Sequence, residues 1–196
     1  MSEIVFFLEE PSAEALLNAL LPRLLPETVA YRCLVFEGKQ DLEQQMVRRM
    51  RGYRVPHARF VVLRDQDSAD CHAVKEELKR KCAEAHHPDA VVRIACRELE
   101  SWYLADLSAV ERGLDRPGLS NLQGKRLYRN PDHAMSPSRM LTRLAPVYQK
   151  VSGSRAIGPH LDLENSRSRS FLHFVTAVRR LAARLTIRVG EGNAPS

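Results

Sequence analysis

Residues 59–67 read RFVVLRDQD, and the architecture of the whole chain hangs on this stretch. Phe60, Val61, Val62 and Leu63 form an unbroken apolar run. That is the pattern of a strand buried on both faces of a parallel sheet, not one alternating between core and water. Asp65 and Asp67 follow at once. They therefore fall just past the carboxyl end of the strand, where open α/β sheets hold their ligands. Extended chain repeats every two residues, so both carboxylates can point to one side. Close carboxylates repel, and a divalent cation relieves the repulsion. A plainer account also fits, because Asp67 and Ser68 are good N-cap residues for a following helix.

Working outward, the chain alternates. Ile4–Leu8 is a short apolar strand, followed by Glu9, Glu10 and Pro11. Ser12 is the expected cap of a helix carrying Leu16 and Leu20, which Pro22 stops. Val29–Phe36 reads as a strand, Asp41–Met50 as a helix and Ser68–Ala85 as a helix with Val74, Leu78 and Cys82 on one face. Ala90–Ala95 is a fourth apolar strand, running into a helix through Arg97-Glu98-Leu99-Glu100. This predicts an α/β fold: about four strands, mostly parallel, with helices on both faces and a small helical C-terminal extension. The core is expected over residues 1–110 and a basic helical and loop extension packed on it over 111–186, with a flexible tail over 187–196. In the extension, Ser138–Leu144 and Arg169–Leu185 read as helices. The glycine- and serine-containing QKVSGSRAIGPH (residues 149–160) reads as a linking loop.

Hydrophobic residues make up 44% of the 196 and charged residues 28%, ordinary values for a soluble globular chain. No apolar run approaches the roughly 18 residues that span a bilayer. No basic amino-terminal region precedes IVFFL, so a cytoplasmic location is expected. Cys33, Cys71, Cys82 and Cys96 form no CxxC pair, which argues for reduced thiols rather than a zinc site. The net charge of +6 is uneven: residues 1–100 sum to −2 and residues 101–196 to +8. A basic surface of that kind can hold a polyanion such as nucleic acid. Lys125, Arg126, Lys150 and Arg155 are its candidate contacts; a solvated face with no specific partner is the plainer reading. Trp102 and Tyr103 are expected in the core rather than stacked on bases.

Three strand ends thus bring carboxylates to one edge: Glu9 with Glu10 and Glu14, Asp65 with Asp67, and Glu98 with Glu100. Such a set suits one or two Mg²⁺ or Mn²⁺ ions, which bind carboxylate and phosphate oxygens together. Metals so held activate water and stabilise the leaving oxygen in displacement at phosphorus.

The order strand–LEEPSAE–helix and strand–RDQD–helix resembles the Toprim domain of topoisomerases, primases and overcoming-lysogenization-defect (OLD) nucleases. RELESWYLAD, with GKQDL upstream and YQKVSGSRAIGPHLDLE downstream, is similar to stand-alone bacterial Toprim-like proteins. The resemblance implies a metal-dependent nuclease acting in phage defence with an ATPase partner. By motif position, Glu9 would be the general acid/base or metal glutamate, and Asp65 and Asp67 the metal-binding pair. Glu14 would be the second glutamate of nuclease-type members, Glu100 a further metal carboxylate and Lys150 a catalytic cation. Glu10 stands where that family has glycine, which leaves open whether Glu9 or Glu10 fills the first motif. Arg64 is placed to pair with a carboxylate and weaken metal binding. The rival readings are a catalytically weak nucleic-acid-binding or regulatory subunit, and a small-molecule phosphatase with a strand-DxD nucleophile.

Overall fold

The computed structural model of the protein describes residues 2–191. Four strands, β1 (Ser2–Leu8), β2 (Val29–Val35), β3 (Arg59–Asp65) and β4 (Val91–Ala95), form one parallel sheet in the order β2-β1-β3-β4. Helices α1 (Pro11–Leu20), α2 (Lys39–Gly52) and α3 (Cys71–Glu84) make the crossovers. Strand order reverses after β2, so with crossovers of constant hand the helix changes face. Accordingly α1 packs on one face with Ile4, Phe6, Leu8, Val61 and Leu63. The other face carries α2 and α3 against Val5, Phe7, Phe60 and Val62. Odd and even residues of β3 are buried on opposite sides, which is why its sequence is apolar throughout.

After β4 come α4 (Glu100–Leu104), α5 (Leu107–Gly113), α6 (Pro137–Leu144), α7 (Lys150–Ile157) and α8 (Arg169–Glu191), linked by short 3₁₀ turns. Their apolar residues join the α1-side core. Trp102 and Tyr103 are fully buried there. The Trp102 ring lies 5.2 Å from Phe171 and 5.3 Å from Phe174 of α8, and its Nε1 donates to Ser170 Oγ at 2.9 Å. All four cysteines are free. Among the described residues no helix is long and apolar enough to cross a membrane. Of the tail expected over 187–196, α8 takes in residues up to Glu191, and 192–196 lie outside the described residues.

Two helix caps differ from expectation. α1 begins at Pro11 with Glu10, not Ser12, in the N-cap position, because proline's fixed φ suits the first helical turn. α3 is capped by Asp70, whose side chain accepts from Ala73 N–H at 2.8 Å. Asp67 and Ser68 therefore lie before the helix, and the capping account of Asp67 falls.

The larger correction concerns residues 150–157, read as a loop and found as helix α7. Its small residues are packing devices. A Cβ on Gly153 would stand 2.4 Å from the Tyr148 ring, and one on Gly158 would stand 2.9 Å from Ala19 of α1. A side chain at Gly158 would push the end of α7 off α1, and one at Gly153 would displace the Tyr148 ring, so composition that looks like turn chemistry here permits close packing.

Candidate functional site

Strand register sets the rim. Leu8 of β1 lies opposite Leu63 of β3. Continuing that register puts Glu9 beside Arg64 and Glu10 beside Asp65, each pair on its own face of the sheet. The ion pairs follow this division. Arg64, buried, holds Glu43 at 3.1 Å and Glu9 at 3.8 Å on the α2 side. Glu10, on the α1 side, accepts from Lys150 Nζ at 3.0 and 3.2 Å and from Ser12 Oγ. The backbone of Glu10 is extended, φ −148°, so the glycine of the resembling family is not needed for its conformation. β1 and β3 flank the point where strand order reverses, the crevice in which doubly wound sheets bind ligands.

Glu100, the first residue of α4, completes the α1-side group. It is 1% exposed; its Oε1 accepts from Tyr148 O–H at 3.0 Å, while Oε2 is buried without a hydrogen-bond partner. Below it, Tyr103 O–H donates to Ser154 Oγ at 2.7 Å and Ser154 Oγ donates to the Lys150 carbonyl at 2.6 Å. This chain fixes the first turn of α7, and with it Lys150. Tyr148 and Ser154 were not singled out in the sequence as site residues; neither carries a motif, and only the packing of α7 on α1 brings them in, while Glu10 entered only as the alternative to Glu9 in the first motif.

The electrostatics bear the mark of uncompensated negative charge. Burial pushes the Asp65 carboxyl well above the usual range, and Glu100, Glu9 and Glu10 push it further, against one amide hydrogen bond from Leu99. Glu100 is raised by burial, opposed by Lys150 and Tyr148. Glu9 is raised by burial and by Asp67 and Glu10, opposed by the Asp65 amide (N to Oε2, 3.2 Å) and Arg64. For Lys150, burial pulls down but Glu10, Glu100 and Asp65 outweigh it, so its ammonium is held above the ordinary value.

Asp67 departs from the expected alternation. β3 ends at Asp65, and Asp67 takes a left-handed φ of +57°, so period two does not carry its side chain alongside Asp65. It pairs with Lys39 Nζ at 2.8 Å, at the start of α2. Its amide donates to the Arg97 carbonyl at 2.7 Å, and Arg97 is itself left-handed at φ +63°. Non-glycine residues at such angles cost about 1–3 kcal/mol and gather at functional sites.

The other sequence candidates scatter. Glu98 accepts from Ser138 N–H at 2.7 Å, serving the first turn of α6. Glu14 lies close enough to Cys33 to raise its thiol and lines a small surface cleft with Arg155. Lys125 and Arg126 are exposed on a 3₁₀ turn. The structure thus brings together Glu9, Glu10, Asp65, Glu100 and Lys150, sets Asp67 at the margin, and leaves Glu14, Lys125, Arg126 and Arg155 outside. Among the described residues no three His, Cys, Asp or Glu side chains are arranged to hold an ion, so the carboxylates form a group of like charges, not a finished chelate. An all-oxygen donor set with an orphaned buried Glu100 oxygen nonetheless has the chemistry Mg²⁺ or Mn²⁺ takes.

No curated protein matches the chain. Among solved structures, it is similar to the "C-terminal region of the Xanthomonas campestris pv. campestris OLD protein phased with mercury", at 13% identity over 93% of this chain and 97% of that one, with a TM-score of 0.48. Residues 8–179 match the family described as "Domain of unknown function (DUF4276)", in line with the Toprim-like resemblance read from the sequence. That span covers most of the chain, and the protein belongs to the DUF4276 family.

Proposed function

We propose that the protein is a divalent-metal-dependent phosphodiesterase acting on nucleic acid. The observation that carries this reading is the meeting of Asp65, Glu10 and Glu100, from three separate elements, beside one lysine and with a buried carboxylate oxygen left unpartnered. Asp65, Glu100 and Glu10 would hold Mg²⁺ or Mn²⁺, which when bound supplies an activated water and charge neutralisation at phosphorus. Lys150 neutralises charge on the phosphoryl oxygens. Glu9, its carboxyl raised by burial, holds or releases a proton at the rim. Tyr148 orients Glu100, and Arg64 restrains Glu9.

A second reading has its own support. Glu9, Glu10 and Asp67 each already face a protein cation, respectively Arg64, Lys150 and Lys39, as in a nucleic-acid-binding or regulatory subunit that needs no metal. One experiment separates the two: cleavage of supercoiled, linear and single-stranded DNA and of RNA with Mg²⁺ or Mn²⁺, alongside Asp65→Asn/Glu100→Gln. Metal-dependent cutting by the wild type and not by the folded variant supports the phosphodiesterase. Absence of both cutting and calorimetric metal uptake sinks it and favours the binding subunit.

A further inference from the structure

A cleft of ≈ 770 Å³ lies not at the carboxylates but beside them, along the free edge of β4. Its walls are the first turn of α3, the loop after β4 and the first turns of α8. Lys75, Arg93, Arg97, Arg167 and Arg169 line it, with His72, His133 and His173 among them; Arg93 is engaged with the His173 and Val92 carbonyls. The lone carboxylate in the wall, Asp132, is spent: its oxygens accept from Ser168 Oγ at 2.6 Å, Ser170 N–H at 2.9 Å and Ser170 Oγ at 3.2 Å. Among the described residues none of these five cations faces a carboxylate within ion-pair distance, and Arg167 and Arg169 are exposed.

Arg169 is the first residue of α8. A cation at a helix amino terminus meets the positive end of the helix dipole and disfavours the fold. Asp132 already serves the backbone of that first turn through Ser170 N–H, yet neither Arg169 nor Arg167 two residues earlier pairs with a carboxylate among the described residues, so two exposed cations stand at the mouth of the cleft. The cavity also joins the rim directly. Gln66 and Arg97 line it, and Arg97 NH1 donates to the Asp67 carbonyl at 3.4 Å.

We propose that this cleft binds a strand of nucleic acid, its phosphates on Lys75, Arg97, Arg167 and Arg169 and its bases against the imidazoles, leading toward the carboxylate rim. Cations that follow a backbone, with stacking side chains between them, are the means by which single strands are held. The inference rests on the reading of the substrate as nucleic acid, and it moves the contact surface from Lys125, Arg126 and Arg155 to the β4 edge.

The test is fluorescence anisotropy of a labelled oligothymidylate of about 20 nucleotides with the full chain in EDTA, so that neither metal nor cleavage enters. Each phosphate contact on a single strand contributes about 0.7 to the slope of log affinity against log salt. Arg167→Ala/Arg169→Ala should therefore lower that slope by about 1.4, and weaken binding about 60-fold near 50 mM salt and about 15-fold near 150 mM. Its thermal midpoint should be unchanged or raised, since a misplaced cation is gone. Lys125→Ala/Arg126→Ala should bind as the wild type does. No binding by the wild type, an unchanged slope in the cleft variant, or equal loss in the Lys125/Arg126 variant overturns the proposal. So does inorganic tripolyphosphate binding as tightly as the oligonucleotide, which would mark a small-anion pocket. Calorimetric uptake of Mn²⁺ at Asp65, measured separately, reports on the phosphodiesterase reading alone.

Discussion

Gly153→Ala should destabilise the protein, against the helix preference of the two residues. Alanine favours a helix interior over glycine by about 1 kcal/mol, and α7 is a regular helix at this position. The added Cβ, however, would stand 2.4 Å from Cδ2 and Cε2 of Tyr148. Tyr148 is buried and its ring packs edge-on to Tyr103, 6.2 Å between centroids. Forcing it aside costs about 1–3 kcal/mol as overpacking. The move also withdraws the hydroxyl from Glu100 Oε1. Oε2 has no partner already, so a second buried acceptor is orphaned at about 1–3 kcal/mol. Less the propensity gain, the net is about 3 kcal/mol, or about 6–12 °C in Tm for a chain of this size. Urea titration of wild type, Gly153→Ala, Tyr148→Ala and the double variant measures it. In the Tyr148→Ala background the clash is absent, so Gly153→Ala should turn stabilising, by up to about 1 kcal/mol. A Gly153→Ala variant as stable as the wild type, or the same sign in both backgrounds, refutes the argument.

Asp65→Asn should stabilise the apo protein at neutral pH. The folded carboxyl sits well above its unfolded value, so the protonated form is favoured in the fold; wild-type stability is fullest below the ordinary aspartate range and is lost as pH rises through the raised value. The advantage of asparagine should thus be seen by urea unfolding near neutrality and vanish in acid; an advantage growing toward acid would mean the shift has the other sign. Arg64→Met should lose about 1–3 kcal/mol, discounted for the part-exposed Glu43, yet bind Mn²⁺ more tightly in calorimetry because a cation that offsets the negative charge of the rim is gone. Weaker uptake would show that Arg64 orders the rim more than it competes.

The parts of the fold legible in the sequence were those where local pattern and burial agree. Phe60–Leu63 reads as a doubly buried strand because it is one, and the β-α alternation follows from it. The register of Glu9 against Glu10 was not legible, because it depends on how β1 is offset against β3, a strand far along the chain that pairs Leu8 with Leu63. Asp67 was misjudged because strand periodicity holds only while the chain stays extended, and a left-handed residue ends it. α7 was missed since glycine's low helix propensity and its use in tight packing write the same letters. The half-by-half charge count found a basic surface but not the cleft, to which the acidic half contributes Lys75 and Arg97.

The pair of Lys150 with Glu10 spans 140 residues of chain. Contacts so distant in sequence close late, since loop-closure entropy must be met before they form. During synthesis the sheet can assemble once β4 has emerged, but Glu10, Asp65 and Glu100 then face one another without the lysine. A nascent chain therefore carries a folded sheet with an unbalanced rim, and the site becomes electrically complete only when α7 docks on α1. The charge balance of this rim is thus settled by a helix that follows the whole sheet in the chain, and not by the strands that carry the carboxylates.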